Sequence, residues 1–231
     1  LSESQRRHYA HHEQQAAGLI SLSQRRSLLP REQDRLFREL AMMRMVCDTP
    51  YILTGDPEDR DDCPKLRELD AVLASALAED GVKVIVFSEW IRMLELVRAL
   101  LDRRRIGYGW HTGSVTQSQR RTELLRFKND PSCRVFLCSE SGGVGLNLQN
   151  ASIVINCDLP WNPAKYEQRV ARAWRKHQTR PVTVINLIAE GTLEHRMLAT
   201  LAVKQGLADG VLDGRGDLNQ IPLRRGSAAL L

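Results

Sequence analysis

The sequence predicts an α/β fold, a mostly parallel sheet with helices on both faces, preceded by a helical protrusion. Two observations carry this prediction. Short β-branched runs such as KVIVFS and PVTVINLIA have the composition of strands buried on both faces, and from Lys65 onward such runs alternate with stretches of helical periodicity. Alternation of this kind calls for right-handed crossovers between parallel neighbours. Size agrees, because 231 residues with 42% hydrophobic content can bury one good core plus accessory helices.

Taken in order, residues 2 to 46 are polar and helix-prone, and they read as two helices with a break near Ser27 to Pro30, Pro30 opening the second. DTPYILTGDPEDRDDCP is acidic and rich in Pro and Gly, the composition of a surface connection. LRELDAVLASALAE then reads as a helix, KVIVFS as a strand, WIRMLELVRALLDRR as a helix, IGYGWH as a strand and TQSQRRTELLRFKND as a helix. CRVFLCS and ASIVINC are strands, NPAKYEQRVARAWRKH a helix, PVTVINLIA a strand and TLEHRMLATLAVKQ a helix. From Gly206 the glycine-rich tail is expected to hold short helical pieces or disorder. The expected organisation is therefore a helical protrusion and linker over 1–63, a compact α/β lobe over 64–205 and a tail over 206–231.

Composition narrows the function classes. No apolar run approaches the ~20 residues that span a bilayer, and LSESQRRHYAHH lacks the apolar stretch of a signal peptide, so no membrane partner is expected. The starting Leu suggests a cut from something longer. The five cysteines form no C-x-x-C pair, which suits a reduced, cytoplasmic compartment. Between residues 165 and 180, Lys165, Arg169, Arg172, Arg175, Lys176 and Arg180 face Glu167 alone, an excess as large as the whole chain's net charge of +5. A polyanionic partner is the expectation.

Ligands of open parallel sheets gather at the carboxyl ends of the strands. Here those ends carry Ser88 and Glu89, Thr112 and Gly113, Ser139 to Asn147, and Leu159 to Pro163. The glycine-rich SGGVG directly follows an apolar run, and the arginine-rich segment follows it, so a phosphate-sized anion could be held between the two. No G-x-x-x-x-G-K-[ST] loop occurs, nor an Asp-Glu pair suited to magnesium. The pattern is half of an ATP-driven site.

The same residues carry a resemblance. KVIVFSEW resembles the fourth motif of the Swi/Snf family of superfamily-two helicase-like ATPases, and TGSVTQSQRRTELLRF is similar to the G-S-x-x-x-x-x-R…F element that follows it. SESGGVGLNLQNAS resembles the fifth motif, PWNP the short element after it, and QRVARAWRKHQ the sixth, Q-x-x-x-R-x-x-R…Q. LAMMRMVCDTPYIL is similar to the family's helix leading into a His-Pro-Tyr-Leu type turn. The resemblance covers most of the chain and implies a RecA-like C-terminal helicase lobe of bacterial type. Ser139-Glu140 stands where eukaryotic relatives commonly have Thr-Arg, Ala171 where a small residue or acid is usual, and Trp174 where His is frequent.

The resemblance further implies the second motor lobe of an ATP-dependent double-stranded DNA translocase, located in a bacterial cytoplasm or nucleoid. Its ATP and Mg2+ would be held mainly by a first RecA-like lobe of the same protein, so this chain alone is expected to be inactive. Arg172 and Arg175 would complete the ATP site, with Gly145, Asn147 and Gln168 at the nucleotide. Ser88, Thr112, Gly113, Ser139, Trp161 and Lys165 would face DNA, and a remodelled protein target is a further possible partner. A spacing of three would place Arg172 and Arg175 on nearly one helical face.

Plainer readings stand beside these. An arginine-rich helix is often a solvated face, Trp161 could cap a strand, and Ser88, Thr112 and Ser139 could merely terminate strands. His8, His11 and His12 have metal-face spacing but no evident carboxylate beside them, which favours a solvated helix. Arg103, Arg104 and Arg105 suit a helix C-terminus. A different class remains open: a non-catalytic platform for DNA or protein built from such a lobe.

Overall fold

The computed structural model describes residues 1–140, 147–174 and 181–201. Helices α1 (Glu3–Arg25) and α2 (Pro30–Asp48) pack on each other as a hairpin. Ser2 starts α1 with a capping box, accepting the Gln5 amide at 3.1 Å while its own amide reaches the Gln5 side chain at 2.8 Å. Pro30 opens α2, where its missing N–H costs nothing. The acidic connection is more than a surface strap. Its YIL and PEDR segments form the one-turn helices α3 (Tyr51–Thr54) and α4 (Pro57–Arg60), and Ile52 and Cys63 are buried.

The lobe runs α5 (Pro64–Ala76), β1 (Val84–Phe87), α6 (Ile91–Arg104), β2 (Gly107–His111), α7 (Gln117–Asn129), β3 (Cys133–Cys138), β4 (Ile153–Asn156), α8 (Pro163–Val170) and β5 (Thr183–Asn186), with a further helix over 193–201. The strands form a sheet in the order β2-β3-β1-β4-β5, and every neighbouring pair is parallel. Side chains of β1 alternate between two cores. Val84 and Val86 meet Leu69, Leu73, Met93 and Leu101 of α5 and α6, whereas Ile85 and Phe87 meet Phe127, Phe136, Leu148 and Ala173. Helical layers thus cover both faces, which is the α/β RecA-like arrangement. On the edge strand, a Cβ at Gly109 would lie 2.7 Å from the Phe136 ring, so the GYG sequence is what lets β2 close against β3.

The hairpin is fastened to the lobe by apolar and ionic contacts. Tyr9, Met43 and Val46 share a cluster with Leu193, Met197 and Leu201 of the last helix, and the Leu193 amide donates to the Tyr9 hydroxyl at 2.8 Å. Beneath them Lys65 Nζ donates to Asp48 Oδ1, Glu194 Oε1 and the Cys157 carbonyl, each at 2.7 Å. Burial alone would lower the Lys65 pKa, but the two carboxylates outweigh it and raise it. Burial likewise pushes Asp48 and Glu194 upward.

Two further sequence expectations are revised. The arginine-rich segment is not helical throughout, because α8 ends at Val170 and a turn follows over 171–173. The Arg172 carbonyl is taken by the Leu148 amide at 3.0 Å, and Ala173 is drawn into the core, which together bend the chain out of the helix. Arg172 therefore lies in that turn rather than on a helical face, and Arg175, its expected companion there, lies outside the described residues. The other concerns the histidines: a carboxylate does stand beside them, since His12 Nδ1 pairs with Glu39 Oε2 at 2.8 Å across the hairpin.

Candidate functional site

Register brings the site together. Phe87 is level with Cys138 and Asn156, His111 with Cys138, and Asn156 with Asn186, so the loops that follow leave the sheet along one edge. PWNP builds its own corner there. Asn162 caps α8 by accepting the Ala164 amide at 3.0 Å, Pro163 takes the first helical position, and Trp161 is left 38% exposed.

The candidates separate into a buried foundation and an exposed rim. Ser88, Thr112 and Ser139 are buried. The Ser88 hydroxyl donates to Asp158 Oδ2 and accepts the Trp90 amide at 3.1 Å, Thr112 Oγ1 pairs with Ser114 Oγ at 3.0 Å, and the Ser139 amide donates to the His111 carbonyl at 3.1 Å. Gly113, Lys165 and Gln168 are exposed, as is Trp161 in part. Arg120 Nη2 holds the Gly113 carbonyl at 2.9 Å, which fixes the course of that loop.

Sequence reasoning missed the residue that ties the edge together. Asp158, wholly buried, accepts the Ser88 hydroxyl and the Glu89 amide at 3.0 and 3.1 Å, and Arg169 Nη2 at 3.2 Å. A single acid ending an apolar strand in INCDLP was the available signal. Arg169, counted in the basic run of residues 165–180, is 3% exposed and donates to the Asp158 carbonyl at 2.7 Å and to Glu140 Oε1 at 2.8 Å. Burial would lower its pKa; Asp158 and Glu140 reverse that and raise it. The outer oxygen of Glu140 receives Lys165 Nζ at 2.7 Å, so the chain of charges runs from the core to the surface.

The Leu148–Arg172 hydrogen bond sets the end of the glycine-rich segment beside the arginine segment. Asn147, immediately before Leu148, is half-buried, and its Oδ1 accepts the Gln149 amide at 3.3 Å. Arg172 is half-buried as well. Cations converge here. Burial first, then Arg120 and Arg172, pull the His111 pKa down to about 4. Gly145 and Arg175, with Gly142, Gly143 and Gln178, lie outside the described residues. Among the described residues no cluster of His, Cys, Asp or Glu has a metal-binding arrangement, and no helix is long and apolar enough to cross a membrane.

Residues 64–177 match the helicase conserved C-terminal domain. The chain is 32% identical over 191 residues to an uncharacterised ATP-dependent helicase of Schizosaccharomyces pombe, an alignment of 82% of this chain and 18% of that protein. It is 32% identical over 169 residues to the DNA repair and recombination protein RAD54-like of Drosophila ananassae, covering 70% of this chain and 21% of the relative. The chain thus spans about a fifth of these relatives. Among solved structures, the Sulfolobus solfataricus SWI2/SNF2 ATPase core in complex with dsDNA aligns with a TM-score of 0.73 at 26% identity, over 93% of this chain and 45% of that one. The C-terminal domain of the same ATPase aligns with a TM-score of 0.69 at 23% identity, over 91% and 85% of the two chains, a likeness of fold.

Proposed function

We infer that this chain, whose residues 64–177 match the helicase conserved C-terminal domain, is the second motor lobe of an ATP-dependent double-stranded DNA translocase of the Swi/Snf type. The observation that carries the reading is the Leu148–Arg172 hydrogen bond, which presents Asn147 and Arg172 at the same place on the carboxyl edge. Phosphoryl transfer spreads negative charge over equatorial oxygens, and an arginine brought in from outside the nucleotide pocket is worth on the order of 10³ to 10⁵ in rate. Arg172 and Arg175 take that role, Asn147, Gly145 and Gln168 adjoin the nucleotide, and a first lobe of the same protein supplies the phosphate loop and the Mg2+ carboxylates. The cations around His111 suit phosphate oxygens. Closure of the two lobes would bring these arginines into the site.

On the DNA side, Gly113, Trp161 and Lys165 form the exposed rim that meets the duplex, while Ser88, Thr112 and Ser139 hold the loops beneath it. Contact through phosphates rather than base edges gives binding without sequence preference. In this reading the chain is of bacterial type, with a cytoplasmic or nucleoid location. A remodelled protein target remains a further partner in this reading.

The test uses the 231-residue chain and the protein that contains it. The chain alone should hydrolyse no ATP with or without DNA, and its duplex binding should weaken steeply from low to physiological salt without sequence preference. ATP turnover by the chain alone, or a salt-independent preference for one sequence, would sink the reading.

A further inference from the structure

Arg44 lies in the hairpin, far from every segment singled out for chemistry, yet it reaches the carboxyl edge. It is 2% exposed, and its Nη2 donates to Glu89 Oε2 at 2.6 Å and to the Leu159 carbonyl at 2.8 Å. The guanidinium carbon stands 5.5 Å from the Trp90 ring centroid and 5.6 Å from that of Trp161. One cation from α2 therefore touches the loop after β1 and the loop after β4 together, and both of its aromatic neighbours belong to those loops. Two buried polar atoms at the junction, Arg44 Nε and Trp90 Nε1, have no hydrogen-bond partner.

Trp161 stands on the solvent side of this contact. It is among the large apolar side chains left exposed, and its neighbours Asn162 and Pro163 serve the start of α8. We propose that Arg44 is a positioning residue which fixes Trp161 and the Glu89 loop for contact with duplex DNA, and so couples the helical hairpin to the DNA-facing rim. The proposal rests on the DNA reading above. A planar guanidinium can stack on an indole while its edge donates to a carboxylate and a carbonyl; an ammonium cannot do all of these at once. Arg44→Lys therefore keeps the charge and loses the geometry.

The four tryptophans give a direct readout, using the 231-residue chain labelled with 5-fluorotryptophan and followed by fluorine NMR. Arg44→Lys should move the Trp90 and Trp161 resonances and leave those of Trp110 and Trp174 in place, a pattern that general unfolding cannot produce. Adding a short DNA duplex should shift the Trp161 resonance of the wild type, and the duplex concentration needed for half of that shift should rise about tenfold in Arg44→Lys. If Arg44→Lys fails to fold, Glu89→Gln carries the same test from the other end of the contact. An unmoved Trp161 resonance in the variant, or an unchanged DNA response, overturns the role of Arg44 and leaves the DNA reading intact. A wild-type Trp161 resonance indifferent to duplex DNA overturns both.

Discussion

Lys65 and Arg169 are two buried cations that each bridge two carboxylates, and they sit in regions with different tasks. Lys65 joins the end of α2, the start of α5 and the helix over 193–201, and Lys65, Asp48 and Glu194 are all buried. Arg169 begins in the same way at buried Asp158, but its second partner, Glu140, continues to the exposed Lys165. A sealed network has only the hairpin and lobe to hold. A network that opens to solvent holds the loops of the rim at a chosen height, and it can respond to what docks there.

The sharpest way to break the comparison is to remove each cation. Lys65→Met leaves two carboxylates buried and facing each other, so a loss of about 3–5 kcal/mol in denaturant unfolding is expected. Neutralising the partners as well, with Asp48→Asn and Glu194→Gln, should recover part of that loss. Arg169→Met should cost less, about 1–3 kcal/mol, because Asp158 keeps its Ser88 and Glu89 donors. Its larger effect should be on DNA binding, measured by titration at low salt. Equal stability losses with no change in DNA affinity would erase the distinction between the two regions.

A smaller effect sharpens the description of the edge. His111 has its pKa lowered from 6.5 to about 4, first by burial and then by Arg120, so the unfolded chain binds more protons between those values. Stability contributed by the neutral ring is present above pH 6.5 and is lost as the pH falls toward 4. Thermal melting across that window should therefore fall more steeply for the wild type than for His111→Gln. Parallel curves would mean that the ring is not held neutral.

Much of the fold was legible because it rests on local signals. Pro30, the β-branched runs and the Asn162–Pro163 cap each act within a few residues, and each marks an element found in the structure. What could not be read depends on partners distant in sequence. Lys65 meets Glu194 across 129 positions and Arg44 meets Leu159 across 115, and no periodicity announces such contacts. The premature end of α8 has the same origin, since it answers to the amide of Leu148. At the site, charge counting treated Arg169 and Arg172 alike. Only packing distinguishes the buried Arg169 from the half-buried Arg172.

The central claim is that arginines of this lobe act on ATP bound by another. The direct measurement is steady-state, DNA-stimulated ATP turnover by the full-length protein carrying Arg172→Ala or Arg175→Ala, alongside thermal melting, with Arg104→Ala as the exposed control paired to Asp70. The account predicts that Arg172→Ala and Arg175→Ala each lose most of the turnover while melting stays near the wild-type value, that lysine does not rescue either position, and that Arg104→Ala is nearly silent. Near-normal turnover in Arg175→Ala, or losses that merely follow unfolding, would contradict it.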